Sequence, residues 1–396
     1  MKKSAQTKIL VRAPNWIGDQ VMAYPFFHYL RETFPNSRIV AACAPWVASI
    51  QFRNLVDDVL VLPKPSDRTW TARIQAIEAG ARQARELASG NPWDLGISLP
   101  NSFSSAWFLF RAGCLKRRGY RGDARNFLLN EALRCEDGMH RTESYAQLLP
   151  AGPDDDLARR VPAKEFWGVP PEAPENFDES TEECAEQRPL LPLDDEGIPG
   201  VLPEFDAAHA WLPESEALAP PQEARQGYVV FAPGSVAESR RWPIHKFAAL
   251  ADRIISETGW AVVLVGGAAE TALAEELIAE IKTGRNRRFV LDMTGKGSVS
   301  SYWRIFRNAK MTVANDSGLS HVAVLCGSPV HVVWGAGEPK ITAPLGPGKV
   351  KMSVSIVDCW PCERNVCYKS GIEKIACLRG IDPDVVWKEI NRGLRP

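Results

Sequence analysis

A β-branched run that empties into a glycine turn occurs twice in this chain. The first copy reads Ile9-Leu10-Val11-Arg12-Ala13-Pro14-Asn15-Trp16-Ile17-Gly18-Asp19, and the second begins Tyr228-Val229-Val230-Phe231-Ala232-Pro233-Gly234-Ser235. β-Branched and aromatic side chains in so short a run favour a pleated strand. Glycine after the strand allows close backbone approach to a ligand. One turn offers a carboxylate, Asp19, and the other offers N–H groups at Gly234 and Ser235. Such a chain folds as two strand–turn–helix arrays.

The remaining periodicities agree. In the first half, strands are expected at 8–12, 38–43, 59–62 and 95–99, with helices at 18–34, 71–87 and 104–111. In the second half, strands at 228–232, 261–265, 289–292, 311–314 and 330–334 alternate with helices at 243–258, 268–283 and 298–307. A further helix opens at Ser317, and a last one at 383–392 closes the chain. Alternation of this kind implies right-handed βαβ units and parallel sheets. With 396 residues, two domains are expected. They are assigned to 1–150 and 226–396, separated by an acidic, proline-rich insertion at 151–225. Residues 152–221 hold 12 of the 30 prolines and show no sustained period, which reads as an exposed linker, mobile in part. Trp167, Phe205 and Trp211 within it are candidates for local docking. The fold class is α/β: two Rossmann-like domains in a GT-B arrangement, with ligands in a central cleft outside the strands' carboxyl ends. Closure of that cleft needs a hinge, expected at 220–227.

The net charge of −1 hides an asymmetry. Residues 151–225 carry 19 acids against 5 Lys or Arg, a balance of −14 that leaves +13 for the rest. A basic body attracts anionic substrates and membrane surfaces. No apolar run approaches the roughly 18 residues of a membrane span. The stretch after Met1-Lys2-Lys3 is too short for a signal peptide, so a cytoplasmic location is expected. In a reducing compartment, Cys43, Cys114 and Cys326 read as small buried hydrophobes. Four others, Cys359, Cys362, Cys367 and Cys377, fall within one short stretch.

Arg12 to Asp19 as a motif resembles the opening signature of the lipopolysaccharide heptosyltransferases, glycosyltransferase family 9, and of their heptosyltransferase II branch in particular. Leu99-Pro100-Asn101-Ser102-Phe103 with Gly119-Tyr120-Arg121-Gly122 resembles that branch's second signature. Arg240-Arg241-Trp242-Pro243, Asn315-Asp316-Ser317-Gly318 with His321, and the cysteine cluster extend the likeness over about 1–150 and 226–396. The acidic segment is longer than the family's usual interdomain link and finds no match.

The resemblance implies that Asp19 is the base that takes a proton from the acceptor hydroxyl in an inverting transfer. An aspartate capping the following helix is the structural alternative. Gly234 and Ser235 suit a diphosphate, and Arg240, with Arg241 beside it, can neutralise the departing nucleoside diphosphate. Similar family members carry lysine at the place of Arg240. A surface arginine pair is the alternative. Ser317 and Gly318 open a helix whose N–H groups suit a phosphate. The resemblance places Asp316 near the donor sugar hydroxyls; capping the helix rivals both assignments. His321 lies one helical turn further along. Glu270, after Val265-Gly266-Gly267, resembles an acid of the donor pocket, with first-turn charge complementarity as its alternative. Thr294 and Gly295 are candidates to line the adenine, although ordinary turns share this composition.

On the acceptor side the choices are Asn15, Asn101, Ser102 and Arg121. The basic run 116–121 suits a Kdo-containing, phosphorylated lipid A inner core, because arginine forks pair with carboxylates and phosphates. No nucleic-acid-binding fold accompanies it. The spacing Cys359-x2-Cys362-x4-Cys367-x9-Cys377 has half of a zinc-knuckle pattern. A structural zinc or an iron–sulfur ligand set competes there with free thiols, and no metal is given a catalytic role. The expectation is an enzyme that needs no cofactor, with ADP-heptose as donor, the heptosyl inner core as acceptor, and transient association with the inner face of the cytoplasmic membrane. A same-fold transferase with another sugar or acceptor, and an inactive nucleotide-sugar-binding scaffold, are the alternatives.

Overall fold

The computed structural model describes residues 6–150, 205–224 and 226–394. Most of the acidic insertion, with Trp167, therefore lies outside the described residues. The chain divides into two compact units, Met1–Phe166 with Ala208–Trp211, and Trp167–Ala207 with Leu212–Pro396.

The first unit is built on a parallel six-stranded sheet: β1 (Lys8–Arg12), β2 (Arg38–Cys43), β3 (Asp58–Val61), β4 (Trp93–Ser98), β5 (Cys114–Tyr120) and β6 (Glu131–Leu133), in the order β3-β2-β1-β4-β5-β6. The second repeats the pattern with β7 (Tyr228–Ala232), β8 (Ala261–Leu264), β9 (Val290–Asp292), β10 (Met311–Asn315), β11 (Val330–Trp334) and β12 (Val350–Val354), in the order β12-β11-β10-β7-β8-β9. The expected Rossmann-like parallel sheets are present in both. Ile9, Leu10, Val11, Val229, Val230 and Phe231 are wholly buried, as central parallel strands covered on both faces require. Each order reverses direction once, between β1 and β4 and between β7 and β10. Loops leaving neighbouring strands part there, and a ligand crevice opens at the carboxyl ends.

One expected helix is corrected, and three strands escaped the sequence periodicity. The helix expected at 18–34 is two helices, α1 (Ile17–Met22) and α2 (Tyr24–Thr33), divided at Ala23. Pro25 sits in the first turn of the second, where its missing N–H costs no ladder bond. The basic run 116–121 belongs largely to strand β5, which, with β6 and β12, sequence periodicity missed. Its cations mask the strand because they serve it. Arg117 donates to Leu128 O at 2.6 Å and Cys114 O at 2.7 Å, and Arg118 donates to Leu148 O at 3.0 Å and pairs with Glu131 at 3.1 Å.

Trp211 does dock, stacking on Phe52 at 6.5 Å between ring centroids while Arg53 N donates to Ala210 O at 3.1 Å. Leu212 already serves the second unit, its carbonyl accepting from Trp303 Nε1 at 3.0 Å. Leu218 N likewise donates to Ser301 O at 2.9 Å. The chain thus changes units between Trp211 and Leu212, upstream of the 220–227 stretch expected as a hinge. That stretch is held within the second unit. Among the described residues, no helix is long and apolar enough to cross a membrane.

Candidate functional site

In the second unit, the switch point gathers most of the expected donor residues. Asn315, wholly buried at the end of β10, organises it. Its Nδ2 donates to Pro233 O at 2.6 Å, and its Oδ1 accepts from Trp242 N at 3.0 Å. One amide therefore ties together the loop after β7, the loop through 240–242 and the end of β10. Ser235 Oγ donates to Asp316 O at 3.3 Å, and Arg241 Nε donates to Ser235 O at 2.5 Å. Arg241 is exposed and acts here on its own loop.

Arg240 Nη1 stands 3.0 Å from Asp316 Oδ2. The Asp316 carboxylate is 3% exposed, and burial pushes its pKa up to about 6 against the pull of Arg240. Gly337 packs directly on it, since a Cβ there would stand 2.4 Å from Asp316 Oδ2. Glu270 lies just as close over Gly234, where a Cβ would come within 2.5 Å of Glu270 Cγ. Gly234 is needed to admit this side chain. Gly266 sits between Glu270 and Thr294, so the loops after β7, β8 and β9 adjoin. Thr294 spends its hydroxyl on Asp292 Oδ1 at 2.7 Å. Gly295 takes φ +68° and donates its N–H to Gly266 O at 2.9 Å.

Ser317 precedes the helix Gly318–Leu325 in extended conformation (φ −154°, ψ 166°), but its side chain makes no capping bond. Its buried Oγ has no hydrogen-bond partner among the described residues. Gly318 opens the helix, and His321, 4% exposed, follows one turn later.

In the first unit, Asp19 is not a helix cap. Trp16 occupies the cap position of Ile17–Met22, and Asp19 lies inside the first turn. Its Oδ1 accepts from Tyr145 Oη at 3.2 Å and lies 3.7 Å from Arg141 Nε. The carboxylate is 24% exposed. Tyr145 is buried, and burial together with the Asp19 charge raises its phenol well above the usual range, so it remains a donor. Both partners come from the helix Arg141–Ala146. Sequence reasoning missed them, although their four-residue spacing on one helical face was the available signal.

Asn15 is held from two sides: its Oδ1 accepts from Arg12 Nη2 at 2.6 Å and its carbonyl from Trp46 Nε1 at 2.6 Å. Burial lowers the Arg12 guanidinium to about 10. Arg12, Asn15, Trp46, Lys64, Arg73 and Ser105 help line a cavity of about 520 Å³ at the ends of the first strands. Asn101, Ser102 and Arg121 are not among its lining residues. Asn101 Oδ1 accepts from Arg125 Nη2 at 2.9 Å, and Arg125, wholly buried, also donates to Pro100 O at 2.7 Å. Ser102 caps the helix Phe103–Arg111 by accepting from Ser105 N at 3.3 Å. Arg121 is exposed, with Nε donating to Ala132 O at 2.9 Å.

Cys359, Cys362, Cys367 and Cys377 line one cavity of about 190 Å³. Cys367 Sγ accepts from Ile375 N at 3.3 Å. Burial, then the other three cysteines, push the Cys377 thiol up to about 11. Among the described residues, no group of three or more His, Cys, Asp or Glu is placed to hold a metal ion. Cys43, Cys114 and Cys326 are buried, as small hydrophobes should be.

The family description glycosyltransferase family 9 (heptosyltransferase) matches residues 81–372. The chain belongs to glycosyltransferase family 9. As a member of that family it is a glycosyltransferase. It is 27% identical over 340 residues to lipooligosaccharide heptosyltransferase 2 of Haemophilus influenzae, covering 85% of this chain and 86% of the relative. Against lipopolysaccharide heptosyltransferase 2 of Escherichia coli K12 it is 26% identical over 346 residues, 85% of each chain. The solved ADP-heptose lps heptosyltransferase II of E. coli matches with a TM-score of 0.68 over 98% of each chain, at 23% identity. That likeness bears out the expected GT-B fold class for this family 9 chain.

Proposed function

We propose that this glycosyltransferase moves heptose from ADP-heptose to the inner-core heptose of lipopolysaccharide, with inversion at the anomeric carbon and Asp19 as general base. The reading is supported most by one coincidence. A family 9 match spans a chain in which Arg240 and Asp316 meet at the switch point of the second sheet. The donor diphosphate lies against Gly234, Ser235, Ser317 and Gly318, near His321. The cation of Arg240 stabilises the departing ADP in a role that needs no metal. Pyrophosphate competes with Asp316 for that guanidinium, which leaves the carboxyl to hydrogen-bond the sugar. Glu270 takes the ribose side, and backbone groups of Thr294 and Gly295 border the adenine. Arg241 steadies the Ser235 loop.

On the first unit, Tyr145 and Arg141 hold the Asp19 carboxylate for the acceptor hydroxyl. The acceptor's anionic sugars occupy the cavity beside Asn15, with Asn101, Ser102 and Arg121 as further contacts. A lipid-borne acceptor implies a cytoplasmic enzyme that visits the inner face of the membrane. Mass-spectrometric product analysis with ADP-heptose and a defined inner-core acceptor tests the reaction. In parallel, Asp19→Ala is expected to lose turnover by at least about a hundredfold while still binding ADP. Wild-type turnover in that variant would remove the base assignment, and no product from the parent would remove the reaction.

A further inference from the structure

The outer face of the helix Phe103–Arg111 carries aromatic rings that the core leaves uncovered. Phe103, Phe110 and Phe127 are 38%, 45% and 74% exposed, and Leu115 is 56% exposed. The aromatic rings form one cluster. Phe103 packs on Trp107 and on Phe127, each with ring centroids 6.2 Å apart, and Trp107 packs on Phe110 at 5.7 Å. Scattered surface hydrophobes need no explanation, but a contiguous aromatic patch marks a contact surface.

Cations rim the patch. Arg111 lies over Trp107 at 5.9 Å and Arg117 over Phe110 at 5.5 Å. The nearby acids are engaged. Glu78 pairs with Arg111, which balances that cation, and accepts from the Trp107 indole; Asp123 accepts from Phe103 N, and Arg117 keeps its charge over Phe110. A second copy of this face would set these cations against their own kind across a two-fold axis. Aromatic rings with arginines laid over them instead match the headgroup layer of an anionic bilayer. Rings settle there at the polar boundary, and an unpaired basic side chain is drawn by the negative surface potential.

We infer that the face formed by Phe103, Trp107, Phe110 and Phe127 is the surface by which this protein docks on anionic lipid membranes. The inference deepens the proposed function, because its purpose rests on a lipid-borne acceptor, but lipid binding can be measured without any turnover.

The experiment compares the full-length protein with Phe110→Ser/Phe127→Ser in cosedimentation with phosphatidylglycerol/phosphatidylethanolamine vesicles, and with phosphatidylcholine vesicles as reference. The wild type should bind the anionic vesicles, weaken as salt rises, and bind phosphatidylcholine poorly. The variant should lose about tenfold or more in partitioning, with an unchanged thermal melt because both residues are exposed. It should keep wild-type rates on a lipid-free acceptor oligosaccharide and lose rate on acceptor embedded in vesicles. Equal vesicle binding by the two proteins, equal binding to phosphatidylcholine, or a concentration-dependent dimer that the double substitution abolishes would each overturn the docking surface. Absence of heptose transfer to either acceptor would instead count against the proposed reaction and leave the vesicle result standing.

Discussion

Tyr145 donates a hydrogen bond to the Asp19 carboxylate at 3.2 Å, although 126 residues of sequence separate them. Arg141 approaches the same oxygen at 3.7 Å from the same short helix. The proposed base is therefore oriented by an element that follows the last strand of its sheet.

Tyr145→Phe keeps the packed ring and removes that donor. Loss of a hydrogen bond to a charged group costs about 1.5–3 kcal/mol, so turnover is expected to fall roughly tenfold or more with ADP affinity unchanged. Initial rates and calorimetric titration of ADP check this together. A variant with wild-type turnover would show that the hydroxyl does not support the base.

Asp316 makes folding stability depend on pH. Its folded-state pKa of about 6 lies above the ordinary carboxyl value of 3.8, so the folded chain holds this proton more tightly than the unfolded one. The resulting stabilisation is complete below the ordinary carboxyl value and is lost as pH rises through the folded one. It amounts to something on the order of 3 kcal/mol. Urea melts of the wild type and Asp316→Asn between these limits should diverge, with the flatter profile in the variant. Parallel profiles would assign the slope to other groups.

Asn315→Ala leaves Pro233 O and Trp242 N without their buried partner. Each orphaned group costs about 1–3 kcal/mol, so the melting temperature should fall by several degrees and ADP affinity should weaken as the three loops separate. Asn315→Asp keeps one acceptor but sets a wholly buried carboxyl oxygen against Pro233 O, so it should destabilise at least as much. A melt unchanged in both variants would show that the loops hold themselves.

Arg125→Lys tests the turn after β4. The guanidinium reaches Pro100 O and Asn101 Oδ1 at once, a fork that an ammonium cannot copy. Burial already lowers the guanidinium pKa, and the substitution should cost about 2–3 kcal/mol. Denaturant melts supply the value, and wild-type stability would mean that the turn does not need the fork.

Much of this architecture is legible in the chain itself. Residues 8–12 and 228–232 announce buried parallel strands because β-branched runs ending at glycine leave few alternatives, and both strands are where periodicity places them. The residues proposed for the donor were legible as candidates because they sit where strands end, and the switch point needs no side-chain detail to be located. Strand β5 was hidden because Lys116, Arg117 and Arg118 look solvated in sequence. Two of these cations are in fact spent on carbonyls of the following segment.

Sequence alone determined the two arrays, the turns that open each site and the family, since period, glycine position and ordered motifs are properties of neighbours along the chain. Tertiary structure alone decided that Asp19 is held by Tyr145 and Arg141 rather than capping a helix, that Asn315 ties three loops, and that Arg240 faces a buried Asp316. Those pairings depend on which distant segments share a sheet edge and how deeply each carboxylate is desolvated, and neither quantity is written in local spacing.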